Sequence, residues 1–234
     1  MGLLGTFQDC EDSDCVVKCR GAEFKVHQST LREASPLLDV YFGCCSKKDE
    51  KVVLGLHDFG MHTVQALLEF MYCANYSLGS DTIKDLKTKC ETGPEAMGTA
   101  AFWNSENTIG QENLVAACMF HMTVGIAARY YEMNSLDDLS RHKFEMSLSG
   151  VEAEGLAQVA RNADRPTVDL ETQRLVARAV VGAMQNEDNK HHLKYLDMSK
   201  MSEEFRKLVN ENLACRLKAE ENLSKRLQRT GVLL

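Results

Sequence analysis

Residues that break helices are scarce in this chain, with 3 prolines and 15 glycines among 234 residues. That scarcity points toward helical structure and away from collagen-like or proline-rich low-complexity sequences. No apolar run approaches the ~20 residues that a membrane helix needs, because Lys, Arg, Asp or Glu interrupts every hydrophobic stretch. A membrane span is not expected. Met1 to Cys15 has no basic start and no apolar centre and carries Asp9, Glu11, Asp12 and Asp14, so it reads as neither a secretory signal nor a transit peptide. The 9 cysteines, at positions 10, 15, 19, 44, 45, 73, 90, 118 and 215, include no C-x-x-C pair. The ligand spacing of a structural zinc site is therefore missing. An odd number of thiols without an export signal is expected in reduced form inside the cell, in the cytoplasm, the nucleus or both.

What is present is the balance of a globular protein, 44% hydrophobic and 26% charged. The length suits one full domain and a smaller companion. Charge is uneven: residues 1–150 carry 13 Lys and Arg against 21 Asp and Glu, a net of −8, and residues 151–234 carry 14 against 13, a net of +1. The first part would repel a phosphate backbone, because nucleic-acid affinity rests on clustered cations. Nucleic acid is not expected among the partners.

Cys15 to Cys19 and Ala22 to His27 are two short runs joined by Arg20-Gly21, the pattern of a hairpin. Ala22, Phe24 and Val26 share one face of the second run. Ser29 to Ser35 reads as a short helix that Pro36 stops, and Pro36 opens the next helix, through Phe42. A third strand is expected at Lys51 to Leu56, with Val52, Leu54 and Leu56 on one face. From Thr63 to Tyr72 the apolar positions Val64, Leu67, Leu68 and Met71 form an amphipathic stripe. Residues 77–112 lose all periodicity and read as a long polar insertion loop. Leu114 to Tyr131 is a strongly apolar helix, and Ser135-Leu136-Asp137-Asp138 fits a capping box that would start another, running to about Leu148. Beyond residue 150 every signal is helical: Glu152 to Ala163, then Pro166 to Gln185 with Val176, Ala179, Val180, Ala183 and Met184 on one stripe, then Ser202 to about Arg229 with Phe205, Leu208, Val209, Leu213 and Leu217 on one face.

Several strings on this frame resemble the BTB/POZ family. Ser13-Asp14-Cys15-Val16-Val17 is similar to the family's Ser-Asp-Val opening, and Phe24-Lys25-Val26-His27, then Leu31, Ser35 and Phe42, are similar to its F-x-V-H…L…S…F core. Asp58-Phe59-Gly60 through Phe70-Met71-Tyr72 resembles the exit of the third strand and the central helix. Tyr72 matches the tyrosine that opens a Tyr-Thr-Gly turn, which reads Tyr72-Cys73-Ala74 here. Leu114 to Tyr131 and Leu136 to Leu148 are similar to the helix pair that closes the domain. The layout resembles fungal BTB-domain proteins with a helical C-terminal extension.

The resemblance implies an α+β BTB/POZ fold, a small sheet flanked by a helical cluster, over roughly residues 10–150, with the insertion at 77–112 and an all-α extension over 151–234. Asp14, Phe24, Val26, His27, Leu31, Ser35, Phe42 and Tyr72 would be structural motif residues. It further implies protein binding rather than catalysis, with no cofactor or metal: a substrate-recruiting adaptor for a cullin-type ubiquitin ligase, its partners a cullin scaffold and a substrate protein. The alternative is a scaffold or transcriptional regulator that forms a homo-oligomer or recruits nuclear partners without ligase activity. Corepressor-binding members pair the aspartate matching Asp14 with a basic residue just after the histidine, and here that position is Gln28. The partner surface is expected at the end of the central helix, its following loop and the helix near Ser135 to Leu148, with Met71, Tyr72, Tyr76, Leu78, Leu136 and Phe144 as candidates.

Other features have plainer readings. Asp58-Phe59-Gly60 is the metal-holding triplet of protein kinases, but the Gly-rich loop, strand lysine and catalytic-loop Asp and Asn are missing in order. His27 beside Ser29 has the look of a general base, though a hydrogen-bonded histidine at a strand-to-helix corner needs no chemistry to explain it. Cys44-Cys45 near Lys47 and Lys48 has no spaced resolving partner. His191-His192 sits in a polar linker. Trp103, beside Phe102 in the insertion, reads either as a partner anchor or as a residue that tucks the loop onto the domain.

Overall fold

The computed structural model describes residues 12–45, 52–79, 109–185 and 196–230. The leader before Asp12, Lys47 and Lys48, most of the insertion with Phe102 and Trp103, and His191-His192 lie outside the described residues. Contacts divide the chain into two compact units, Met1–Met146 and Ser147–Leu234.

The first unit begins with β1 (Cys15–Cys19) and β2 (Ala22–Val26), paired antiparallel with Val17 opposite Phe24. Arg20 at φ 46° and Gly21 at φ 89° make the two-residue turn, both in the left-handed region that tight hairpins require. Helices α1 (Gln28–Ala34) and α2 (Pro36–Cys45) carry the chain across to β3 (Val52–Gly55). β3 lies parallel to β1, giving the sheet order β2-β1-β3. A parallel neighbour cannot be reached by a tight turn, and the two helices supply the crossover. Cys15, Val17, Cys19, Phe24, Val26 and Leu54 all point into the core. Cys15 and Cys19 act there as small hydrophobes, and burial pushes the Cys19 thiol above its ordinary pKa against a smaller opposing effect of Arg20.

Helix α3 (Met61–Cys73) packs its Val64, Leu67 and Leu68 stripe inward and contacts α1 and α4 (Ile109–Tyr130). Helix α4 starts at Ile109, so the last four residues expected in the insertion loop are helical. Gly110 does not delay the helix, because Gln111 and Glu112 beside it are good helix formers. Helix α5 (Asn134–Leu148) begins one residue before Ser135, so Ser135 lies within the first turn and the expected capping box is not the start signal. Met133 occupies the cap position, its carbonyl accepting from the amides of Leu136 and Asp137 at 3.0 Å each. Asp137 turns sideways instead, taking Arg129 at 2.6 Å and Arg141 at 2.8 Å and so bracing the end of α4 against α5. The two helices approach closely at Gly125, where an added Cβ would sit 2.8 Å from the Ser140 hydroxyl.

The second unit contains α6 (Ala153–Ala163), α7 (Leu170–Met184), a 3-10 turn at Met198–Lys200 and α8 (Glu203–Thr230). α7 packs against both α6 and α8. α7 starts at Leu170 and not at Pro166, because Asp169 caps it, its carboxylate accepting from the Thr172 amide at 3.0 Å and the Thr172 hydroxyl at 2.6 Å. Its buried stripe is Thr172, Val176, Ala177, Val180 and Val181. Ala179, Ala183 and Met184 are only half-buried, so the buried face is rotated from the expected one. Ser202 caps α8 and is itself held by the Asp164 carboxylate, which accepts from its amide at 2.7 Å. Phe205, Leu208 and Val209 are buried as expected and Leu213 is half-buried, whereas Leu217 is exposed, the later turns of α8 meeting the end of α7 through polar contacts such as Arg216 with Gln185 at 2.6 Å.

Candidate interaction surface

The motif residues form the joints of the first unit. Asp14, ahead of β1, accepts the Gln28 amide at 2.8 Å and so serves the first residue of α1 as a capping carboxylate from across the fold. Its carbonyl takes the Val52 amide at 3.3 Å and the Gln28 side chain at 3.3 Å. The position just after the histidine thus holds a neutral amide bonded to the aspartate's backbone carbonyl. His27 is the cap residue of α1, and the Tyr72 hydroxyl accepts its amide at 2.8 Å and lies 2.9 Å from Nδ1. One phenol, 45 residues away, therefore holds both the backbone amide and Nδ1 of His27. Ser35 is fully buried and donates to the Tyr131 carbonyl at 2.6 Å, tying α2 to the end of α4. It also accepts from the Leu38 amide at 3.2 Å, capping α2. Phe24, Val26, Leu31 and Phe42 fill the core between these joints.

Helix α3 ends on Ala74, at φ 51°, whose amide donates to the Phe70 carbonyl at 2.8 Å. The left-handed conformation suits glycine and costs an alanine about 1 kcal/mol. Ala74→Gly is therefore expected to raise the melting temperature by roughly 2–4 °C, the shift that about 1 kcal/mol gives a chain of this size. An unchanged or lower value in a thermal melt would show the strain to be absent.

Beyond Ala74 the chain is clamped by groups that sequence reasoning did not single out. Glu69 is buried within the apolar stripe of α3, and its carboxylate accepts from Gln65 at 3.0 Å, from the Ser77 amide at 2.9 Å and from the Ser77 hydroxyl at 3.1 Å. Lys143 of α5 donates to the Asn75 side chain at 2.7 Å and to the Tyr76 carbonyl, and its ammonium stands 4.1 Å from the centre of the Tyr76 ring. The Tyr76 hydroxyl pairs with His121 Nδ1 on α4 at 2.8 Å. Burial holds the His121 pKa down to about 4, with the charge of Lys143 adding to it, and burial alone raises the Tyr76 phenol above its ordinary range. Burial also lowers Lys143, opposed by Glu69. The one signal in the sequence was a glutamate sitting on the buried phase of the α3 stripe.

This clamp corrects the expected partner surface. Tyr76, Leu136 and Phe144 are 3%, 0% and 1% exposed, interior residues that cannot reach a partner in this fold. Tyr76 is drawn in by His121 and Lys143, while Leu136 and Phe144 lie on the inward stripe of α5. Met71, Tyr72 and Leu78 are half-buried and packed against the core. The exposed positions of that corner are Cys73, Asn75 and Ser77, with His142, Glu145 and Met146 on α5. Among these, Met146 is 64% exposed and offers the apolar area.

Residues 4–91 match the BTB/POZ domain. The chain carries a BTB/POZ domain. The match takes in the whole three-stranded sheet and α1 to α3, and the compact unit that contains them also holds α4 and most of α5, which lie outside the matched residues. Human Kelch-like protein 34 is 28% identical over 152 residues, an alignment that covers 62% of this chain and 22% of that protein. The chain thus corresponds to about a fifth of that relative's length. BTB domains are in general protein-interaction modules without catalysis of their own. Among the described residues no group of three or more His, Cys, Asp or Glu is placed to hold a metal ion, and no helix is long and apolar enough to cross a membrane.

Proposed function

We propose that the protein is a substrate-recruiting adaptor for a cullin-type ubiquitin ligase, with ubiquitin transfer carried out by other subunits. The observation that carries this reading is the BTB/POZ domain at residues 4–91 on a unit whose motif side chains are turned into its own joints. What remains to act is exterior shape. The cullin contact is assigned to the corner after α3 and the outer face of α5, around Asn75, Ser77 and Met146. The helical unit from residue 147 onward is assigned to the rest of the adaptor's contacts.

Affinity capture with the full chain tests the reading, the expected outcome being recovery of a cullin. Met146→Glu should reduce that recovery to background while leaving the far-UV circular dichroism spectrum unchanged. Unaltered recovery removes the assignment of the surface, and absence of any cullin removes the adaptor reading.

A second reading is favoured by α2. Leu37, Val40 and Tyr41 fall at i, i+3 and i+4 on its outer side and are 38%, 64% and 39% exposed. An apolar stripe of this kind suits self-association, as a scaffold or transcriptional regulator would use it. Stable dimers in sedimentation velocity, dissolved by Val40→Glu and recovered without a cullin, would favour it over the first.

A further inference from the structure

The opposite end of α3 carries a different surface. Tyr130, at the last residue of α4, is 54% exposed although its neighbour Tyr131 is buried. Its ring meets Phe59 edge-on at 5.7 Å between centroids and Tyr131 at 5.0 Å, and Phe59 is itself half-buried, packed against the core, and meets Tyr131 at 6.0 Å. Met61, two residues beyond Phe59, adds a further partly exposed apolar side chain. A single exposed hydrophobe needs no explanation, but rings held by one another on the outside of a domain are a preformed contact. Their rotamers are already fixed by packing, so a partner that covers them loses little further side-chain entropy.

Two exposed acids flank this patch, while the nearby cation on the hairpin side is the exposed Arg20, beside Cys19, whose thiol donates to the Phe59 carbonyl at 3.4 Å. Asp58 precedes Phe59, Glu132 follows Tyr131, and both are exposed with no ion-pair partner among the described residues. Asp58 stands close enough to Tyr131 that its charge, after burial and Tyr130, contributes to raising that phenol. Arg129, the adjacent cation on α4, is committed to Asp137 at 2.6 Å. A cationic partner would be steered toward such a surface and an anionic one repelled.

We propose that Phe59, Met61 and Tyr130 form a docking site for a basic, apolar peptide segment of a partner protein. An arginine or lysine of that segment reaches Asp58 and Glu132 while its aliphatic or aromatic neighbours cover the rings. The guanidinium or ammonium also meets the face of Tyr130, an interaction worth about 0.5–1 kcal/mol at an exposed site. Helix α3 spans about 20 Å between this site and the corner after Cys73. The two surfaces are therefore separate, and this site stands whether or not a cullin binds the other.

Selection of a phage-displayed random dodecapeptide library on the immobilised full chain tests the proposal. The expected winners place Arg or Lys beside Leu, Ile or an aromatic. As synthetic peptides they should bind about tenfold more weakly to Tyr130→Ala, a loss of roughly 1.4 kcal/mol of binding free energy. The double variant Asp58→Asn with Glu132→Gln should weaken them comparably and flatten their salt dependence. All three positions are exposed, and a thermal melt matching the unaltered chain establishes that the variants fold. Acidic or neutral winners, winners that bind all variants equally, or no enrichment at all would overturn the proposal. So would a dimer of the unaltered chain that Tyr130→Ala dissociates, since a second copy would then be the occupant.

Discussion

Phe144→Ala is expected to remove about 3–5 kcal/mol of folding free energy, the cost of truncating a fully buried phenylalanine and leaving a cavity. Phe144 is 1% exposed on α5, whereas Met146, two residues away, is 64% exposed. Met146→Ala should stay within about 0.5 kcal/mol of the unaltered chain. Domains of this kind are stable by only ~5–15 kcal/mol, so the first change consumes a large part of the margin and the second almost none. Urea unfolding followed by far-UV circular dichroism separates them, and equal midpoints for the two variants would show that Phe144 is not interior. The contrast bears on function, because lost partner binding in Phe144→Ala reports a damaged scaffold, while lost binding in Met146→Glu reports a lost contact.

Acid should weaken the BTB unit through His121. Its imidazole is buried against Tyr76 and Phe120, near the Lys143 ammonium, and its pKa is held down to about 4 in the folded chain. In the unfolded chain an unperturbed histidine titrates near ~6.5. Between those two values the unfolded state binds a proton that the folded state refuses, so the full stability is present above ~6.5 and declines as the pH falls toward about 4. The decline is at most about 1.4 kcal/mol per pH unit and about 3 kcal/mol in all. His121→Gln keeps a hydrogen-bonding partner for the Tyr76 hydroxyl but does not titrate. Its stability should therefore fall less between pH 7.5 and 4.5 by most of that amount, carboxylate contributions being common to both chains. Parallel curves of urea midpoint against pH would show that His121 takes up its proton normally in the folded state.

Periodicity made most of the elements legible. The hairpin followed from alternation around Arg20-Gly21, the third strand from Val52, Leu54 and Leu56, and α3 from its Val64, Leu67, Leu68 and Met71 stripe, because burying one face of an element imposes its own repeat on the sequence. Helix starts were read less well. At α5 the cap is the backbone of Met133 and not the Ser135 box, and at α7 it is Asp169 and not Pro166. Several residues suit a helix start equally by type, and the choice falls to whichever one the packed neighbours leave in extended conformation.

The resemblance of the Phe24-Lys25-Val26-His27 and Tyr72 strings to BTB/POZ domains placed the fold, but not the inside and outside of its interaction corner. Tyr76, Leu136 and Phe144 are apolar residues on elements that face a partner in the expected layout, and nothing local distinguishes them from Met146.

By itself the sequence determined the class of the protein: an acidic, helix-rich α+β unit with a three-stranded sheet, followed by helices, because composition and repeat depend only on local order along the chain. Tertiary structure alone decided that Glu69, Lys143 and His121 close around the residues after α3, and that Phe59 and Tyr130 share one exposed patch. Those groups are separated by tens of residues, and only packing the helices brings a carboxylate of α3, an ammonium of α5 and an imidazole of α4 around Asn75, Tyr76 and Ser77.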